Sequence, residues 1–203
     1  PRLAIGEKID NNNFSQELCE LMGIFVAEGS IYLKDTRKRD GRGHTYFSFG
    51  DEPLLIKRTI TLMKKCFKVN GCLKKMSGQK GYQLHYYYLA IARFFAQNCY
   101  TTTPLHSYNK IFPKDALLLP DKKIKALIKG YFYGDGCYSK SSNRRKINFT
   151  TTSEKLAWQL RLLLDELNIY NHVQHRKPPK TGNILGRTIK QRESWAIWIT
   201  GNE

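Results

Sequence analysis

The stretch Leu21-Met22-Gly23-Ile24-Phe25-Val26-Ala27-Glu28-Gly29 recurs in kind as Ile128-Lys129-Gly130-Tyr131-Phe132-Tyr133-Gly134-Asp135-Gly136. Each copy ends in an acid followed by glycine. Gly23 and Ala27, like Gly130 and Gly134, stand four apart, so a 3.6-residue helical period places them in one stripe without bulky side chains. Two such stripes facing each other predict a helix pair whose backbones approach closely. Glu28 and Asp135, each in the last turn of its helix, then share one end of the pair. Two carboxylates there suit divalent metal ions, and the partial negative charge of two helix C-termini adds to that preference.

The rest of the chain repeats as well. Phe47, Phe49, Ile56, Ile60, Met63, Phe67, Val69 and Leu73 each have an apolar counterpart one hundred positions on: Ile147, Phe149, Leu156, Leu160, Leu163, Leu167, Ile169 and Val173. The shared spacing of Ile56, Ile60, Met63 and Phe67 and of Leu156, Leu160, Leu163 and Leu167 predicts an amphipathic helix in each half. Asp51 with Pro53, and Thr152 with Ser153, are their expected starts. With Leu84 set against Trp195, the first half has the longer early loop and the second half the longer late one. Each unit reads helix, strand, strand, helix, strand, strand. The expected fold is α+β (mixed α/β), with two pseudo-symmetric αββαββ repeats, residues 1–103 and 104–203, paired motif helices and two antiparallel sheets. In the first half Ala90, Ile91, Phe94 and Phe95 continue past the last strand; the second repeat reads as lacking that terminal helix.

Strand alternation at Tyr46-Phe47-Ser48-Phe49 and at Lys146-Ile147-Asn148-Phe149-Thr150 puts apolar residues on one face and polar or aromatic ones on the other. Gln83, His85 and Tyr87 continue the polar face in the first half, and His172, Gln174 and Arg176 in the second. These side chains can hydrogen-bond base edges.

The 203 residues carry a formal net charge of +17, an imbalance that implies a polyanionic partner. Lys34, Arg37, Lys38, Arg39 and Arg42 cluster in the first early loop, and Lys140, Arg144, Arg145 and Lys146 in its counterpart. Arg176, Lys177, Lys180, Arg187, Lys190 and Arg192 cluster in the late loop. Both early clusters follow a motif acid and so lie on the side of the expected metal site. No apolar run reaches a membrane-spanning length, and no lipidation signal or signal peptide is present. Five scattered cysteines without a C-x-x-C pair point to an intracellular, reducing compartment and away from zinc or disulfides. His172 and His175, with no cysteine near them, read as sheet-face or loop residues rather than metal ligands.

The doubled motif resembles that of the LAGLIDADG (dodecapeptide) homing endonucleases in their single-chain, two-repeat form. The likeness runs from about Ser15 to Thr200. Lys110-Ile111-Phe112-Pro113 is similar to the K-x-I-P block that precedes the second helix in intein-type members. Thr152-Ser153-Glu154-Lys155-Leu156-Ala157 and Leu163-Leu164-Asp165-Glu166-Leu167-Asn168-Ile169 are similar to the block that follows it.

This resemblance implies a monomeric, site-specific endonuclease that lays two saddle-shaped sheets into the major groove of a long, nearly non-palindromic DNA target. It would cut both strands across the minor groove. Glu28 and Asp135, with Ala27 and Gly134 beside them, match the catalytic Mg²⁺ site, with Mn²⁺ able to substitute, and Lys110 matches the lysine that orients water or stabilises transition-state charge. The family often carries a Gln-Lys pair where this chain has Gly50-Asp51 and Thr151-Thr152. A second basic catalytic residue therefore stays open among Lys177, Arg187 and Lys190. The first acid is Glu rather than Asp. Pro1 and Asn202-Glu203 lack the splicing residues of an intein, which leaves a free-standing enzyme or the endonuclease part of a larger chain. An RNA-splicing maturase and a non-cleaving DNA-binding regulator are the alternatives on the same fold.

Overall fold

The computed structural model describes residues 14–34, 42–77, 80–141, 144–178, 182–184, 187–189 and 192–202. The first repeat comprises α1 (Gln16–Glu28), β1 (Gly29–Lys34), β2 (Arg42–Phe49), α2 (Pro53–Phe67), β3 (Cys72–Lys75), β4 (Tyr82–Tyr86) and α3 (Leu89–Cys99). A connection with two short 3₁₀ turns leads to α4 (Asp121–Asp135), β5 (Gly136–Ser141), β6 (Arg144–Thr151), α5 (Glu154–Glu166) and β7 (Asn171–Arg176). The hairpin β8 (Gly182–Ile184) and β9 (Arg187–Ile189) precedes β10 (Ser194–Asn202). The two four-stranded antiparallel sheets have the same order, β1-β2-β4-β3 and β5-β6-β10-β7. The expected α+β duplication is the fold observed, and α3 is the predicted apolar run.

Glycine decides how the repeats join. A Cβ on Gly23 would fall inside contact distance of the Leu127 carbonyl oxygen and 2.7 Å from the Tyr131 nitrogen, and one on Gly130 would strike the Glu20 carbonyl. Gly134 faces Ala27 Cβ in the same way, at 2.5 Å. Helices α1 and α4 therefore meet backbone to backbone along the predicted stripe. Helix α1 is buried from Cys19 to Val26, including Glu20. The Glu20 carboxylate accepts two hydrogen bonds from Arg58, at 2.8 and 2.6 Å, which offsets much of the cost of burying it. Ser15 caps α1, its hydroxyl accepting from the Leu18 N–H at 3.1 Å.

The single register of one hundred positions needs correction. Gly29 pairs with Phe47 in the first sheet and Gly136 with Phe149 in the second, so Phe47 corresponds to Phe149 rather than to Ile147. The slip falls to one residue in the second helices, where Leu55, Ile56, Thr59, Leu62 and Met63 are buried against Leu156, Ala157, Leu160, Leu163 and Leu164. It vanishes in the third strands, where Leu73 and Val173 hold equivalent places opposite Leu84 and Ile197. Leu84 thus corresponds to Ile197 rather than to Trp195. Ile60 accordingly stands 37% exposed while Thr59 is buried, its hydroxyl donating to the Leu55 carbonyl at 2.9 Å. An apolar arc spanning about 100° of a helix accommodates a one-residue slip, so helical periodicity cannot fix register. Ser153 caps α5 as expected, but α2 is capped at Glu52, one residue after Asp51. The longer late loop of the second repeat holds the β8–β9 hairpin.

Candidate active site and nucleic-acid face

Glu28 and Asp135 end α1 and α4, and each helix hands over directly to a strand at the following glycine. Close packing of the pair brings the two acids together: a Cβ on Gly134 would lie 2.7 Å from Glu28 Oε1. Burial pushes the Glu28 carboxyl up to about 7, reinforced by Asp135 and Glu52 and opposed by Lys110. Asp135 has an exposed edge, but protein crowds its other sides and raises it to about 6, with Lys110 and then Tyr131 pulling the other way.

Lys110 stands in the connection between the repeats and is buried, although a lysine in a loop is ordinarily solvated. Its Nζ donates to the carbonyl oxygens of Val26 at 2.9 Å and of Phe25 and Ala27 at 3.4 Å, so it occupies the C-terminal end of the α1 dipole. The ammonium also lies 5.7 Å from the centre of the Phe25 ring. Burial draws its pKa down to about 8, against Asp135, Cys99 and Glu28, which favour the charged form. The connection is pinned locally: Ser153 Oγ donates to the Lys110 carbonyl at 2.7 Å, and Gln159 pairs with both the N–H and the C=O of Phe112.

Among the described residues no group of three His, Cys, Asp or Glu side chains is placed to hold a metal ion. Two carboxylates are nevertheless a fitting donor set for Mg²⁺, which commonly takes one or two protein carboxylates together with substrate phosphates and water. The Glu28 and Asp135 oxygens, held above their usual range by burial, are the groups an approaching cation would favour in the ionised form. Ala27 and Gly134 adjoin them.

The sheet ladders fix which predicted nucleic-acid contacts share a face. In the first sheet Lys34 lies opposite Arg42, Tyr46 opposite His85 and Ser48 opposite Gln83, and Gln83 Nε2 lies 3.4 Å from Ser48 Oγ. Tyr87 follows β4 and is exposed. Tyr32, His44 and Lys74 belong to the same face and escaped the sequence reading; for Tyr32 the signal was the polar alternation Ser30, Tyr32, Lys34. In the second sheet Lys146, Asn148, His172, Gln174 and Arg176 share one face, joined by Trp198 and Thr200. Trp198 could not be assigned from Trp195-Ala196-Ile197-Trp198, which is apolar on both faces. Lys140 and Arg145 pair with each other in the register of Ile147 and Phe149, so they fall on the opposite side from Lys146. Lys177 is exposed just beyond β7. The side chains of Arg144 and Arg187, and residues Arg37, Lys38, Arg39, Lys180 and Lys190 altogether, lie outside the described residues. His175, stacked on Trp195 and 3.1 Å from Glu193, is not placed as a metal ligand.

Residues 122–197 match the LAGLIDADG-like domain. The chain is a two-repeat LAGLIDADG protein. An uncharacterized protein of Methanocaldococcus jannaschii is 32% identical over 197 residues, which cover 96% of this chain and 22% of that protein. An A-type ATP synthase subunit from Pyrococcus abyssi is 25% identical over 161 residues, 79% of this chain and 14% of that protein. This LAGLIDADG chain thus spans about a fifth or less of the curated relatives it matches. Its fold is similar to that of the homing endonuclease I-DmoI bound to its target DNA with Mg²⁺, at a TM-score of 0.61 and 17% identity over 93% of this chain and 91% of that one. I-DmoI has also been solved on DNA with Mn²⁺ and with Ca²⁺. The N-terminal LAGLIDADG domain of DUF199/WhiA is similar at a TM-score of 0.51 and 15% identity, over 96% of this chain and 80% of that one. No described helix is long and apolar enough to cross a membrane.

Proposed function

We propose that this LAGLIDADG protein is a site-specific endonuclease that makes double-strand breaks in DNA by Mg²⁺-dependent phosphodiester hydrolysis. The observation that carries the reading is the meeting of Glu28, Asp135 and the buried Lys110 at one end of the helix pair from which both sheets depart. The outward faces of the sheets offer hydrogen-bonding and cationic groups to a duplex, and +17 of formal charge supplies non-specific affinity. Glu28 and Asp135 hold the cations, with Ala27 and Gly134 at their sides. A divalent cation held there supplies an activated water and neutralises charge at the scissile phosphate. Lys110, fixed by three carbonyls, presents its ammonium to the charge that develops on the reacting phosphate. The likeness of fold to I-DmoI on its target supports this reading.

The two sheets differ in sequence, so the target is long and nearly non-palindromic, and one chain suffices as a monomer. The relatives contain this unit as a minor part of their length, which supports an origin as the endonuclease segment embedded in a larger host polypeptide. The test is cleavage, with Mg²⁺ or Mn²⁺, of duplex DNA spanning the insertion site, where short 3′ overhangs are expected. The likeness to the WhiA domain favours a second reading, a DNA-binding protein that does not cut. Binding of the same duplex without cleavage under any divalent cation would select it.

A further inference from the structure

The outward face of the first sheet is an unbroken cluster of rings. Tyr32 meets His44 at 5.4 Å between centroids, His44 meets Tyr46 at 5.6 Å and Tyr87 at 5.5 Å, and the two imidazoles stand 5.9 Å apart. His85 lies between Tyr46, at 5.7 Å and 25°, and Tyr87, at 5.8 Å and 8°. Strand side chains stand roughly perpendicular to their sheet, so rings in near-parallel array turn their faces to one another and their edges outward. Faces already covered by neighbours cannot serve as a platform for splayed, unpaired bases. Phenol hydroxyls and imidazole nitrogens remain on the outer edge, and each can donate or accept.

The cluster is also held as a neutral surface. Burial, together with Lys74 and His44, keeps His85 below the usual histidine range. His85 Nδ1 has no protein partner, so no contact fixes the tautomer. Lys74 is engaged sideways: its Nζ donates to the Tyr87 hydroxyl at 3.1 Å and lies 5.7 Å from that ring's centre. Lys34 and Arg42 stand at one end of the cluster, and Cys72 lies directly across from His85. The second sheet is different in kind. Lys146 and Arg176 carry charge onto its outward face, with Arg176 5.6 Å from the Trp198 ring.

We propose that the two sheets divide the work: Tyr32, His44, Tyr46, His85 and Tyr87 read base edges in one half-site through uncharged ring edges, whereas Lys146 and Arg176 hold the other half largely through phosphates. The inference rests on the duplex-binding reading above and names the residues and chemistry that set its specificity. Hydrogen bonds to base edges discriminate sequence with little salt dependence, while each phosphate contact adds about one to the salt slope.

The test uses a duplex enriched by the wild-type chain from a randomised pool, with every base pair then varied singly. Tyr46→Phe and His85→Phe keep the rings and remove their polar edges, so the melting temperature should hold. Each should lose roughly five- to a hundredfold in discrimination at positions confined to one half of the site, with the salt slope unchanged. Lys146→Ala and Arg176→Ala should weaken binding to all sequences and lower the slope by about one each. Phenylalanine variants that lower the slope, lose discrimination in both halves or lose none would overturn the division. If the wild-type chain enriches no duplex at all, the duplex-binding reading fails first and takes this one with it.

Discussion

Lys110 donates to the Val26 carbonyl oxygen across 2.9 Å, tying the connection between the repeats to the C-terminus of the first motif helix. The same ammonium faces Glu28 and Asp135, so one side chain secures α1 and sets the electrostatics of both acids. Lys110→Met should therefore lower stability by about 1.5–3 kcal/mol, the range for charge-assisted hydrogen bonds, and slow cleavage as well. Lys110→Arg should restore little of either, since a planar guanidinium does not fit a site shaped for three carbonyls. Denaturant midpoints and single-turnover cleavage on the same variants check both.

Replacing the acids separates binding from chemistry. Glu28→Gln and Asp135→Asn should abolish double-strand cleavage while leaving affinity equal or higher, because each removes a negative charge that faces DNA phosphate. The Asp135→Asn protein cutting at the wild-type rate would sink the proposed site.

The raised acids also make metal-free stability depend on pH in an unusual direction. Glu28 moves up to about 7 from 4.5 and Asp135 up to about 6 from 3.8, so the folded state binds more protons than the unfolded state between those values. Their contribution is complete below about pH 4 and is lost as pH rises towards 7. Lys110, lowered to about 8 from 10.5, works the other way, and stability recovers as pH climbs through that interval. Melting curves in a chelator should show the fall from pH 4.5 to 7, and Glu28→Gln should flatten it.

Packing of the helix pair leaves no room at its glycines. Gly130→Ala would drive a methyl into the Glu20 carbonyl, and overpacking of this kind costs about 1–3 kcal/mol or more. Chemical denaturation should show that loss for Gly130→Ala and for Gly23→Ala. Gly50→Ala, with only the Glu52 carboxylate nearby at 3.8 Å, should cost far less.

The two basic neighbours on β6 should behave differently. Lys146 lies on the face of Asn148 and His172, whereas Arg145 lies on the face of Ile147. Lys146→Ala should lower the salt slope of DNA binding by about one and Arg145→Ala by much less. Equal reductions would mean that DNA wraps past the end of the sheet.

The amino-acid sequence alone determined the duplication, the paired helices and the meeting of Glu28 with Asp135, because a small-residue stripe on a 3.6-residue period leaves one way for two helices to touch. It also marked Tyr46, Ser48, Gln83, His85, His172 and Gln174 through the two-residue alternation of strands. Only the tertiary structure decided the register between repeats, since an apolar arc tolerates a slip of one residue and a strand a slip of two without exposing its apolar face. Pairing alone revealed that Phe47 answers to Phe149 and that Arg145 turns away from Lys146. The burial of Lys110 was likewise invisible: the carbonyls that hold it belong to residues 25–27, brought to it only by the packing of one repeat against the other.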